Sequence, residues 1–144
     1  MTKILAIGGL IALAALGEVK AEPNKVLYEL QERCGKQTTE WFVSEWGRSG
    51  IVNTKDGQII ADFQNHYNSG MNTCIVLLNT TNINTNKPKT TTFSSSMLFD
   101  ILDNKTIGEC WNTGASRVVN CHVLTDTYTS FEDWRNAVRS YLEH

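Results

Sequence analysis

The chain has 144 residues, 41% hydrophobic and 19% charged, with a formal net charge of −2 at pH 7. This balance excludes a disordered polar chain, and the mild acidity argues against a nucleic-acid binder, which carries a basic stripe. The length suits one domain around a single core, to which Trp41, Trp46, Trp111 and Trp134 bring large apolar area.

Residues 1–21 read as an export signal. Lys3 supplies the positive start, Ile4–Leu16 the uncharged apolar run and Val19-Lys20-Ala21 a small-residue cleavage site. The apolar run is shorter than the roughly 20 residues of a membrane span, the competing reading being a retained anchor helix. Cleavage leaves Glu22–His144 as one disulfide-stapled domain. Without Lys3, Lys20 and Glu18 it carries 11 basic and 14 acidic residues, net −3.

The four cysteines, Cys34, Cys74, Cys110 and Cys121, all follow this segment, and in an exported protein they imply two disulfides. Of three possible connectivities the favoured one pairs Cys110 with Cys121, which flank a short connection between strand-like segments. It leaves Cys34 with Cys74, stapling a helix to the central strand. No C-x-x-C pair and no zinc-finger histidine spacing is present, so neither metal nor cofactor is expected.

Asn24–Trp46 reads as an amphipathic helix with Val26, Leu27, Leu30, Cys34, Trp41 and Phe42 on its apolar stripe, and with Gly35 as a point of kinking or close contact. Gly47-Arg48-Ser49-Gly50 ends it. Ile51–Gly57 is a connector with room for a short edge strand. Ile59, Ala61 and Phe63 alternate with Asp62 and Gln64 as a half-buried strand. Asn68-Ser69-Gly70 turns the chain into Cys74–Leu78, a central strand buried on both faces. Asn79–Thr92, rich in Asn and Thr with Pro88 inside, is expected to be a long mobile loop. Strand patterns resume over Phe93–Leu102, Thr106–Trp111 and Arg117–Leu124, with turns at Asp103-Asn104 and Thr113-Gly114. Ser130 caps a last helix whose stripe is Phe131, Trp134, Val138, Tyr141 and Leu142, with Asp133 at the capping-box position. The order predicts an α+β domain: N-terminal helix, antiparallel sheet of four to five strands, C-terminal helix.

Chemistry-bearing residues are sparse. His66, Tyr67 and Asn68 form a polar-aromatic cluster at the joint of the central hairpin, the candidate binding surface. Trp46 and Trp111 are aromatics that could join it. The plainer reading is a polar turn whose tyrosine packs inward. A His66–Asp62 acid–base pair would need positions about 13 Å apart along a straight strand, too far for a hydrogen bond. His122 alternates with Cys121 and is expected to face solvent, while Asp100 and Asp103 read as a solvated turn without a calcium loop's ligand spacing. No catalytic residue stands out, and no hydrolase, phosphate-binding, zincin or dinucleotide motif occurs.

Glu32-Arg33-Cys34-Gly35-Lys36 with Trp41-Phe42, then Asn65-His66-Tyr67-Asn68-Ser69 with Asn72 and Cys74, resembles a group of small exported bacterial proteins without an assigned function. The resemblance runs from about Leu30 to Leu142. It departs at Gly70, where a longer apolar or basic residue is expected, and at Thr73, where a basic one is. It implies a periplasmic or secreted bacterial protein and carries over no catalytic residue. The expected function is non-enzymatic binding of a protein or cell-envelope component. The alternatives are a small hydrolase using His66 with a carboxylate, or a structural envelope protein without a discrete site.

Overall fold

The computed structural model describes residues 25–86, 88–112 and 119–143. The segment expected to be an export signal, the expected Thr113-Gly114 turn and His144 lie outside them. The elements are α1 (Lys25–Trp46), β1 (Ile51–Thr54), β2 (Gly57–Asn68), β3 (Thr73–Asn84), β4 (Thr91–Asp100), β5 (Lys105–Asn112), β6 (Val119–Val123), β7 (Asp126–Tyr128) and α2 (Phe131–Leu142). The strands form one antiparallel sheet in the order β1 to β7, each beside its neighbour in sequence. Among the described residues no helix is long and apolar enough to cross a membrane.

Two helices flank an antiparallel sheet, but the sheet has seven strands rather than the four to five expected. The extra strands are the short ones at its rims, and β1 falls where the Ile51–Gly57 connector left room for a short edge strand. β1 pairs Ile51–Thr54 with Gly57–Ile60, and β7 is three residues long. Both are too short and exposed to show a period-2 apolar signal.

The expected loop over Asn79–Thr92 is also corrected. β3 runs to Asn84 and β4 begins at Thr91, with Thr80, Thr81 and Asn82 opposite Ser95, Ser94 and Phe93. Hydroxyl groups bridge the strands at Thr80–Ser95 (2.7 Å) and Thr81–Ser94 (3.4 Å). Threonine suits a strand, but this part of the sheet is polar on both faces, so its sequence lacks the apolar alternation that marks one.

The helices cover opposite faces. On one, α1 packs Phe42 against Ala61, Val76, Leu78 and Phe99, with Cys34 bonded to Cys74 beside Tyr67. On the other, α2 packs Trp134 and Val138 against Ile75, Leu77, Leu98, Ile107 and Val123, next to the Cys110–Cys121 bond between facing residues of β5 and β6. β3 supplies both cores by alternation, and Cys74–Leu78 are all buried.

α1 is continuous through Gly35 and ends where Gly47, at φ 71°, lets its N–H bond the Val43 carbonyl (3.0 Å). Its buried stripe is Cys34, Thr38 and Phe42. Val26 and Leu27, expected on that stripe, are exposed, because the first turns of α1 reach past the covered part of the sheet. In α2 the Ser130 hydroxyl accepts from the Asp133 N–H (3.0 Å), and the Trp134 indole donates to the His122 carbonyl (2.9 Å).

Candidate functional site

The hairpin joint is built by residues 66–74. Tyr67 and Asn68 are the last inward-anchored residues of β2, and both are buried, at 7% and 6% exposure. The Tyr67 hydroxyl donates to Asn72 Oδ1 (2.5 Å), across a turn in which Asn72 takes φ 52°. Asparagine tolerates that left-handed conformation better than most residues. Asn68 Oδ1 accepts from the Met71 N–H (2.9 Å), and its amide donates to the Tyr141 carbonyl near the end of α2 (3.2 Å). Tyr67 packs on the Cys34–Cys74 disulfide. These two side chains therefore spend their polar groups inside the turn.

His66 stands apart. Alternation along β2 turns it to the sheet face opposite Tyr67, and it is half-buried. It lines a groove of about 450 Å³ with Leu27, Tyr28 and Gln31 of α1, its neighbour Tyr67, Ser69 of the turn and Glu143 beyond α2. Gln31 is the hinge of this arrangement: its Oε1 accepts from the Tyr67 N–H (2.6 Å), holding α1 to the strand. Tyr28 and Val26 are 71% and 65% exposed. The groove thus presents apolar and aromatic area around a few polar groups, a composition suited to recognition. Sequence reasoning missed Tyr28 and Gln31; their signal was an aromatic and an amide off the buried stripe of α1.

The other candidates separate. Asp62 lies on the same face as His66 but accepts from the Asn79 amide (2.9 Å), whose carbonyl oxygen accepts from the Ser96 hydroxyl (2.7 Å). The carboxylate sharing the groove with His66 belongs to Glu143, which pairs with Arg139 at 3.7 Å. Asp100 is not a solvated turn residue: it is buried and accepts from the Thr73 hydroxyl (2.7 Å) and the Leu102 and Asp103 N–H groups (2.9 and 3.2 Å). That network ties the start of β3 to the end of β4. His122 is half-buried, opposite Glu109.

Trp46 packs against the α1-side core, while Trp111 pairs with Phe93 at 5.5 Å, opposite Ser95. Ser95 faces Thr80, six residues along β3 from the partner of Tyr67, about 20 Å at the usual strand rise. Trp111 therefore shares no patch with the hairpin joint.

Among the described residues no group of three or more His, Cys, Asp or Glu side chains is placed to hold a metal ion. No protein-family model, curated protein or solved structure matches the chain.

Proposed function

We propose that this chain is an exported, non-enzymatic binding domain, of the kind its resemblance to small exported bacterial proteins suggests, that takes hold of a protein or cell-envelope component. The contact surface is the groove beside His66, with Leu27, Tyr28 and Gln31 as its α1 wall. The observation that carries this reading is the exposure of Val26, Leu27 and Tyr28 in one run beside that groove. Clustered exposed apolar side chains mark interaction sites, and tyrosine is a frequent anchor of interfaces. Two disulfides fit an oxidising compartment outside the cytoplasm, as does the signal-like segment at residues 1–21.

The test uses the purified, oxidised protein as bait in native envelope extract, beside Tyr28→Ser and His66→Ala. Both side chains can be cut back without opening a core. A partner held by the wild type is expected to bind at least about tenfold more weakly to Tyr28→Ser, the scale of a modest hot spot, with melting temperature unchanged. Equal retention by both variants would move the site elsewhere.

A further inference from the structure

Among the described residues, the edge of β2 next to this groove has unused backbone hydrogen-bonding groups. β1 pairs only with Gly57–Ile60, so from Ala61 onward β2 has a strand neighbour on one side only. Three hydrogen bonds define which way its peptide groups point. The Ala61 N–H donates to the Gly50 carbonyl (2.7 Å), and the Tyr67 N–H to Gln31 Oε1 (2.6 Å), both away from β3. From within the sheet, Cys74, which faces Tyr67, turns its carbonyl toward the β4 side to accept from the Ile101 N–H (3.1 Å). In an antiparallel pair these directions alternate residue by residue. The odd-numbered peptide groups of β2 therefore face the open edge, and the even-numbered ones bond β3.

Gly50 and Gln31 close the two ends of this edge. Between them the N–H and C=O groups of Phe63 and Asn65 face outward, and neither N–H has a backbone or side-chain acceptor among the described residues. The row continues the line of β1 and leads to the groove of Leu27, Tyr28 and His66. Natural sheets blunt such edges with charge, proline, bulges or a covering helix. α1 lies against the face of this stretch, with Phe42 on Phe63 (4.6 Å between ring centroids) and Asn65 Nδ2 donating to Cys34 Sγ (3.5 Å). Of α1, only Gln31 bonds an edge group among the described residues. Phe63 and Asn65 bring no charge, proline or bulge, and β2 keeps an unbroken register with β3 from Gly57 to Asn68.

We infer that the partner is an extended peptide segment that adds a strand to β2 along Phe63–Asn65, with its end seated in the groove beside His66. The backbone complementarity argues for this occupant, because only an extended main chain satisfies alternating outward N–H and C=O groups at strand spacing. This inference rests on the binding reading above and names its partner class. Strand addition supplies affinity through the main chain and leaves selectivity to the side chains entering the groove.

Amide hydrogen exchange tests it. In the free protein Phe63 and Asn65 are expected to exchange at least about tenfold faster than Gln64 and His66, whose amides point into the sheet. Linear nine-residue peptides selected from a random library against the oxidised protein should slow Phe63 and Asn65 by at least about tenfold. Asn65→Pro removes an outward N–H without touching the β3 ladder, a position where sheets tolerate proline. It should fold and lose at least about tenfold in peptide affinity. Asn65→Ala, which loses only the side-chain amide on Cys34 Sγ (3.5 Å) and keeps the N–H, is the control expected to bind peptide like the wild type.

Selected peptides that leave both amides fast, or that bind Asn65→Pro unchanged, overturn the strand addition. So does a selection that yields nothing. Self-association with the same two amides protected would assign the edge to a second copy instead. Should Asn65→Pro not fold, the wild-type exchange measurement decides alone. With the envelope partner, loss by Tyr28→Ser and retention by Asn65→Pro keeps the groove and removes the strand. The reverse keeps the strand and removes the groove.

Discussion

The two helices hold the same sheet from opposite faces by different means. α2, with 12 residues, buries Trp134 and Val138 fully and anchors the indole N–H on the His122 carbonyl. α1, nearly twice as long at 22 residues, buries only Cys34, Thr38 and Phe42. Much of its attachment is covalent and polar: the Cys34–Cys74 bond, the Thr38 hydroxyl between the Cys34 carbonyl (2.9 Å) and Cys74 Sγ (3.5 Å), and Gln31 on the strand edge. A disulfide stabilises mainly through the unfolded state and needs little buried area. A stapled helix can therefore leave its first turns uncovered, and that is where the groove lies.

The sharpest way to break this contrast is Trp134→Ala. Removing a fully buried indole should cost about 4 kcal/mol and lower the stability of the whole sheet, read by chemical denaturation. Cys34→Ala with Cys74→Ala comes next. The chain-entropy model gives roughly 4 kcal/mol for a bridge spanning 40 residues, against about 3 kcal/mol for the 11-residue span of Cys110–Cys121. Its distinguishing result is local: amides of α1 should lose exchange protection before those of β5 and β6. If protection falls together everywhere, α1 is no more separable than α2 and the comparison fails. Ser130→Ala is the smallest, about 1 kcal/mol for a lost N-cap, with fraying confined to the first turn of α2.

The α2 side was the more legible of the two. Phe131, Trp134, Val138, Tyr141 and Leu142 recur at helical spacing, and all of them pack on the core beneath. In α1 the same reasoning placed Val26 and Leu27 inward, because periodicity reports which residues share a face and not how far the sheet beneath extends. The Thr- and Asn-rich segment after Leu78 misled in the opposite direction, since a strand polar on both faces carries no period-2 signal. At the hairpin joint the cluster of His66, Tyr67 and Asn68 stood out as polar and aromatic. Whether such residues turn inward or outward depends on the partners they meet. Tyr67 met Asn72 and the disulfide while still bordering the groove, Asn68 met the Tyr141 carbonyl, and His66 lines the groove beside Tyr67.

By itself the sequence determined the local choices: the two helices, the alternating strands, the Ser130 cap, the turn after Asn68 and four cysteines available for two disulfides. Each follows from short-range chemistry, in capping, φ preference and hydrophobic period. Only the tertiary structure decided that the helices lie on opposite faces, that seven strands run in order, and that β2 keeps one open edge. Those features come from pairing between distant segments. Register aligns backbone groups that no local pattern encodes, and the pairing of β1 with β2 ends at Ile51 and Ile60 because the chain leaves the edge at Gly50 to connect with α1.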